Sequence, residues 1–333
     1  MRAVVYTEYG PADVLHVAEV EKPAPAEDEI LIRVHAAEVT KADCEMRSFN
    51  FQVKWFWLPL RIALGLVKPK RPILGGYFAG EIEAVGRNVD RYSKGAAIFG
   101  CTRLRLGAYG EYLCLPARYT LAPKPENISF EHAAAVPLGG LNALHFINKA
   151  NIRPGEKVLV NGAGGSIGTF GVQIAKAMGA EVTAVDSAIK KDMLCRIGAD
   201  HFIDYRHEDF TENSRAYDVI FSMVANTSYS GCMNALKSGG RYLIANPRLV
   251  DMFRSVLTSM FTDRAAIFAF AGETQDELLV LKEKIEAGEI SATIDKVYPF
   301  EQAAEAHHRV ETEERLGTVV ISAEEKERIH SGQ

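Results

Sequence analysis

Apolar segments of strand length alternate with amphipathic segments of helical period through the second half of the chain. The strand-like segments are residues 158–161, 181–186, 201–205, 217–222 and 240–245. Helical segments lie between them at residues 166–176, about 188–197 and about 228–237. Strands that alternate with helices in this way predict an α/β fold built on a doubly wound parallel sheet.

Before residue 120 the pattern is different. Short alternating segments such as residues 29–36 and 81–86 are separated by glycine and proline, which predicts a compact, mostly β domain. Two more strand-like segments, residues 293–300 and 318–321, follow the helical region. The parallel-sheet domain is therefore predicted to be inserted into the β domain. We expect ligands between the two domains, outside the carboxyl ends of the parallel strands.

A glycine-rich turn directly follows the first parallel strand. Its glycines have a G-x-x-G-x-x-G spacing over residues 162–168, and the helix begins without a spare residue. Such a turn aims the amides at the start of a helix at a pyrophosphate. An acid ends the next strand about twenty residues later, where it meets an adenosine ribose. We therefore predict a bound dinucleotide with contacts from Gly162, Gly165, Ser166, Ile167, Gly168 and Asp186.

Composition narrows the classes of function. The chain has 333 residues, which is enough for two domains. Its hydrophobic content of 47% and charged content of 24% are those of a folded globular protein and argue against disorder. The net charge of −5 gives no general attraction to nucleic acid, and the one basic run, residues 68–71, is expected to be a solvated turn.

Cysteine usage and the N-terminus indicate the compartment. The five cysteines are odd in number and widely spaced, with no C-x-x-C pair, so we predict reduced thiols that mostly fill the core. The N-terminus lacks the apolar core of a signal peptide. A cytoplasmic protein is expected.

Residues 49–67 hold both tryptophans, Trp55 and Trp57. Lys54, Pro59 and Arg61 interrupt the segment, so its apolar runs are too short for a bilayer, which needs about twenty residues. No membrane span is predicted. A flap packed on its own domain, an apolar substrate contact and a dimer or membrane-surface contact stay open.

Short family motifs are spread along essentially the whole chain. They are residues 3–6, 9–11, 14–15, 39–43, 74–80, 85–86, 110–112, 133–137, 162–168 and 316–320. Together they resemble the medium-chain dehydrogenase/reductases, and among these the zinc-independent quinone oxidoreductase branch. The resemblance implies a GroES-like catalytic domain at residues 1–122 and 288–333, with a Rossmann domain at 123–287 inserted into it. It also implies a homodimer.

The positions that hold catalytic zinc in zinc-using members of this superfamily lack suitable ligands here. Read across, they are Thr40, Gly76 and residues 136–137, which offer neither a thiol nor an imidazole. No zinc is therefore expected. Reduction of an isolated ketone builds alkoxide charge that a metal normally stabilises, whereas a quinone or an enone spreads the charge over its own π-system.

By resemblance, Thr40 and Asp43 lie near the nicotinamide and are candidates for hydrogen bonds to its ribose or to the substrate. Thr40 stands where Asn is usual, and Asp43 is equally explained as a cap or turn acid. Tyr77 stands where relatives often have Asp; it either donates to the substrate or packs at the domain junction. Asn142 replaces a common Thr near the nicotinamide.

The cofactor preference stays open between NADP(H) and NAD(H). An acid at residue 186 favours NAD, because it accepts both ribose hydroxyls and repels a 2′-phosphate. The family resemblance favours NADP. The residues placed to meet a 2′-phosphate are Ser187, Lys190, Lys191, Tyr205 and Arg315, although both lysines are also explained as solvated helix charges.

The remaining site candidates are mostly apolar. The flap, Tyr109, Phe268 and Phe270 are expected to line the pocket, and Asn246 is a further cofactor candidate. His307 and His308 are predicted to lie on the surface of a late helix.

The leading hypothesis is a zinc-free oxidoreductase that transfers hydride from NAD(P)H to a quinone or an α,β-unsaturated carbonyl. The alternative is a catalytically weak family member that binds NADPH as a sensor or partner-docking module. The unusual residues Thr40, Tyr77 and Asn142 motivate this alternative.

Overall fold

The computed structural model describes residues 1–51, 57–269 and 272–323, so Trp55 and Phe270 lie outside the described residues. The strands are β1 (Arg2–Val5), β2 (His16–Glu19), β3 (Glu29–Val39), β4 (Tyr77–Val85), β5 (Ala97–Cys101), β6 (Tyr112–Pro116), β7 (Leu121–Pro123), β8 (Lys157–Asn161), β9 (Glu181–Asp186), β10 (His201–Asp204), β11 (Tyr217–Ser222), β12 (Leu236–Ile244), β13 (Ala265–Phe268), β14 (Ile294–Pro299) and β15 (Thr318–Ser322).

The helices are α1 (Lys41–Ser48), α2 (Trp57–Leu64), α3 (Phe130–Ala134), α4 (Pro137–Ala150), α5 (Ser166–Ala177), α6 (Lys191–Arg196), α7 (Tyr229–Ala235), α8 (Leu249–Phe261), α9 (Gln275–Glu286) and α10 (Ala303–Glu311).

Six strands form one parallel sheet in the order β10-β9-β8-β11-β12-β13. The first strand of this unit, β8, is central, and the chain then winds outward on one side before it crosses to the other. This is the doubly wound order, and it confirms the predicted fold class. The order reverses between β8 and β11, where sheets of this type bind their ligands.

The β domain is organised around the eleven-residue strand β3. The first part of β3 pairs with β4 and β6, and its last residues, 36–39, pair with β15. Strands β14 and β15 pair with each other in parallel. The late strands therefore join the sheet formed by the first part of the chain.

One hydrophobic core continues from one sheet to the other. It includes Ala36 and Val320 from the β domain together with Phe170 and Leu243 from the parallel-sheet domain. The backbone also crosses this junction, because Gly317 N donates to Gly164 O at 3.1 Å. The glycine turn is thus held against the strand that closes the β domain.

The flap residues that the structure describes pack partly on their own domain. Phe49, Phe51 and Leu64 form a small buried cluster, and the Arg61 guanidinium lies over the Phe49 ring. Trp57 remains 43% exposed. Within the described part of the chain, no helix is long and apolar enough to span a bilayer.

The prediction that His307 lies on the surface was wrong. His307 is fully buried, with Nδ1 3.3 Å from Cys44 Sγ and Nε2 3.2 Å from the Tyr109 hydroxyl oxygen. Burial lowers its pKa to about 3, so the imidazole is neutral. The helix α10 buries residues 303, 306, 307 and 310, which is a helical period that the sequence already displays.

Four of the five cysteines are buried as expected, and only Cys195 is exposed. All five are free thiols.

Candidate functional site

The glycine turn connects β8 to α5 at the point where the sheet order reverses. Gly162 has φ +84°, and a Cβ on Gly168 would lie 2.3 Å from the Gly162 carbonyl oxygen, so both positions require glycine. Gly165 caps α5 in an extended conformation. The first amides of α5 have no acceptor within the helix, as at any helix start, and are available to an anion.

Asp186 braces the glycine turn. Its Oδ2 accepts a hydrogen bond from Gly164 N at 2.8 Å, and its Oδ1 accepts one from Ser187 N at 2.8 Å. Lys190 Nζ lies 3.0 Å from the same Oδ1, and both side chains are buried. The charge of the acid is therefore neutralised inside the protein, and Lys190 is not the solvated helix charge that the sequence allowed.

The other residues predicted to contact the adenosine part of the cofactor lie along the same edge of the parallel sheet as Asp186. Ser187 is buried beside Asp186, whereas Lys191 is exposed and Tyr205, just beyond β10, is 57% exposed. Arg315 is buried, with Nη1 3.2 Å from the Val310 carbonyl oxygen and Nη2 3.7 Å from the position of a Cβ on Gly165. Arg315 therefore faces the start of α5.

Four further cofactor candidates form local contacts. Asn142 Nδ2 donates to Leu138 O within α4 at 2.9 Å, and Asn246 Nδ2 donates to Met223 O at 2.6 Å. Phe268 ends β13 and is half-buried against the core of the parallel sheet. Ile167 is also half-buried, and packs against the shared core.

Thr40 and Asp43 form a capping box at the start of α1. Thr40 Oγ1 donates to Asp43 Oδ2 at 2.6 Å and accepts from Asp43 N at 3.0 Å. Asp43 Oδ1 accepts from Gly75 N at 3.1 Å. Burial raises the pKa of Asp43, although its hydrogen bonds oppose this effect. The cap that the sequence left as an alternative is thus present, and the Thr40 hydroxyl proton is already shared with Asp43.

Tyr77 lies at the domain junction, packed against the shared core. Its hydroxyl donates to Glu273 Oε1 at 2.7 Å. Burial, together with the nearby Glu273 carboxylate, raises its pKa well above the usual range. The phenol therefore keeps its proton, as a hydrogen-bond donor must.

Glu38 is a site residue that the sequence analysis missed. It is fully buried near the end of β3, and its Oε1 accepts a hydrogen bond from Ser166 Oγ at 2.7 Å. Thr318 Oγ1 lies 3.3 Å from the same Ser166 oxygen. The signal was an acid at the inward phase of the otherwise apolar segment 36–39, two residues before Thr40.

A dinucleotide fits this donor set. The start of α5 supplies amides, Arg315 supplies a buried cation beside them, and Gly165 leaves room for close approach. A metal ion does not fit in the same way, because the described residues contain no group of three His, Cys, Asp or Glu side chains able to hold one.

Comparison with known proteins agrees with this geometry. Residues 26–126 match the family model described as alcohol dehydrogenase GroES-like domain, and residues 197–321 match the one described as zinc-binding dehydrogenase.

Two curated relatives cover most of the chain. The human quinone oxidoreductase is 29% identical over 323 residues, which are 93% of this chain and 94% of the relative. An NADPH-dependent alkenal/one oxidoreductase, chloroplastic, from Arabidopsis thaliana is 28% identical over 96% of this chain and 79% of the relative.

Among solved structures, the quinone oxidoreductase from Coxiella burnetii is similar to this chain with a TM-score of 0.85 at 25% identity. The match covers 97% of this chain and 99% of that structure.

Gly168→Ala is predicted to destabilise the protein by about 1–3 kcal/mol, because the new methyl would overlap the Gly162 carbonyl. Thermal unfolding followed by circular dichroism measures the loss. Gly165→Ala is the matched control, since its backbone is extended and its nearest neighbour lies 3.7 Å away. Equal melting temperatures for both variants would contradict the assigned geometry.

Proposed function

We propose that this chain reduces quinones or α,β-unsaturated carbonyls with NAD(P)H. The chain belongs to the medium-chain dehydrogenase/reductase superfamily and to its quinone oxidoreductase-like branch. The proposal rests on one observation: the glycine turn contacts the end of the β domain where hydroxyl side chains are located. Ser166 of the turn bonds to Glu38 of β3, and Tyr77 of β4 packs against the core shared by the two domains.

NAD(P)H, when bound, supplies the hydride, and the chain's residues hold and orient both reactants. The α5 amides and Arg315 bind the phosphates. As hydride reaches one end of the conjugated substrate, negative charge develops on a distant oxygen. Tyr77 is the proposed donor to that oxygen: its raised pKa keeps the phenol protonated, and its hydroxyl would turn from Glu273 Oε1 to the substrate oxygen. The capping box of Thr40 and Asp43 fixes the start of α1, near which the family resemblance implies that the nicotinamide would lie.

The proposed enzyme needs no zinc. Residues 197–321 match a family described as zinc-binding dehydrogenase, but Thr40, Gly76 and residues 136–137 offer no thiol or imidazole at the positions that bind catalytic zinc in zinc-using relatives. A substrate whose π-system accepts the charge makes a Lewis acid unnecessary.

Both nicotinamide cofactors remain in the proposal. The buried pair of Asp186 and Lys190 supports this, since the lysine offsets the charge that would repel a 2′-phosphate. A homodimer in the cytoplasm, as expected from the resemblance and the free cysteines, completes the proposal.

Purified protein is expected to oxidise NADPH or NADH in the presence of a panel of quinones and enals, followed as loss of absorbance of the reduced cofactor. Simple ketones are the control and should give little turnover, because they lack a conjugated acceptor. Tight cofactor binding without oxidation across the panel would favour the sensor or partner-docking alternative, for which the committed hydroxyl protons of Thr40 and Tyr77 provide a reason.

Metal analysis of the active protein is expected to find far less than one zinc per chain, and a strong chelator should leave the rate unchanged. The physical reason is that the part of the chain described by the structure has no group of three His, Cys, Asp or Glu side chains able to hold the ion. Stoichiometric zinc that resists dialysis, with activity lost on its removal, would contradict the zinc-free proposal.

Asp186→Ser is expected to shift the ratio of dissociation constants toward NADPH by about tenfold or more, because Lys190 loses its paired carboxylate and can face a 2′-phosphate. Fluorescence titration with each reduced cofactor measures the ratio. Asp209→Ser, which removes an exposed acid that caps a 3₁₀ turn beyond β10, is the control and should leave the ratio unchanged. An unaltered ratio in Asp186→Ser would remove this residue from the cofactor site.

A further inference from the structure

Glu38 is an acid in a place where strand alternation calls for an apolar residue. Its backbone pairs with Val320, and its side chain has the same phase along β3 as Ala36, which belongs to the core shared by the two domains. No part of Glu38 is exposed to solvent. An acid so buried requires hydrogen-bond partners for both of its oxygens.

The two oxygens of Glu38 are not equally satisfied. Oε1 accepts from Ser166 Oγ at 2.7 Å, whereas the buried Oε2 has no hydrogen-bond partner among the residues that the structure describes. Ser166 is the first residue of α5. The unpartnered oxygen therefore belongs to a side chain that touches the helix start where an anion is expected.

We propose that Glu38 binds the dinucleotide in its protonated form and donates a hydrogen bond to an oxygen of the bound molecule, so that binding takes up a proton. The inference rests on the proposed function, because it requires a dinucleotide at the glycine turn. A protonated carboxyl can donate a hydrogen bond to a phosphate or ribose oxygen, whereas a carboxylate in the same place would repel the phosphates.

The charges around Glu38 are compatible with this protonation. Burial raises its pKa to about 8, against the opposing effects of Ser166 and Arg315. Asp43, from α1, raises it further. From the neighbouring strands and loops Glu38 faces Tyr77, Cys101 and Tyr109. Burial raises the pKa of each of these groups well above its usual range, so all three are neutral beside Glu38.

The pH dependence follows from linkage. Below about pH 8 Glu38 is already protonated in the free protein, so binding takes up few protons. Above that pH the free protein carries the Glu38 carboxylate, so Glu38 must take up a proton from the solvent for each dinucleotide that binds. Affinity should then fall by about tenfold per pH unit.

Isothermal titration calorimetry of the full chain with NADH and with NADPH, between about pH 6.5 and pH 9, tests the proposal. Titrations in buffers of different ionisation enthalpy should give an uptake approaching about one proton near pH 9 and almost none near pH 6.5. Glu38→Gln should bind with nearly pH-independent affinity and without uptake. Glu29→Gln, at the other end of β3, is the matched control and should retain the uptake of the natural chain.

Thermal unfolding without ligand provides a second measurement. Because the pKa of Glu38 is raised in the folded state, its stabilising contribution is present below about pH 4.5 and lost as the pH rises through about 8. Glu38→Gln should therefore melt at nearly the natural temperature near pH 5 and several degrees above it near pH 9. Should Glu38→Gln fail to fold, Glu38→Ala takes its place.

The outcomes separate the two proposals. Measurable binding with no proton uptake near pH 9, or uptake that persists in Glu38→Gln, overturns the role of Glu38 and leaves the proposed function intact. Absence of NADH and NADPH binding at every pH overturns the proposed function, and the role of Glu38 with it.

Discussion

The contact between the glycine turn and the paired end of β3 and β15 is the interaction on which the rest of the structure depends. Ser166 bonds to Glu38 and lies beside Thr318, while Gly317 donates to the carbonyl of Gly164. A backbone bond and a buried polar contact thus fix the helix start against the β domain. Because β15 comes from the end of the chain, the described C-terminal strands complete the site.

Buried polar groups near this contact are mostly committed to one another. The capping box joins Thr40 to Asp43, Tyr109 lies between Asp43 and His307, and Tyr77 donates to Glu273. Such paired groups hold a site in one geometry, since breaking any pair leaves a buried polar atom unsatisfied. Glu38 Oε2 is an exception: it is buried without a hydrogen-bond partner among the described residues, on a side chain that bonds to the first residue of α5, and the proposed proton uptake rests on this atom.

The adenosine edge illustrates how pairing changes the meaning of a residue. An acid after the second parallel strand implies repulsion of a 2′-phosphate when it is considered alone. In the folded chain Asp186 accepts from Gly164 and Ser187 and is paired with buried Lys190. The same carboxylate therefore supports the turn, and its net charge toward a ligand depends on the lysine as much as on the acid.

The sequence by itself determined the doubly wound sheet, its insertion between β strands, and the glycine turn, because hydrophobic period and glycine spacing are local properties. It also contained the period that buries His307, which was overlooked. Only the tertiary structure placed Glu38 against Ser166, Arg315 at Gly165 and Lys190 on Asp186. Glu38 and Ser166 are 128 residues apart in the chain. Contacts between residues so far apart in the chain are set by how the sheets pack, and neither local sequence predicts which segment the other will contact.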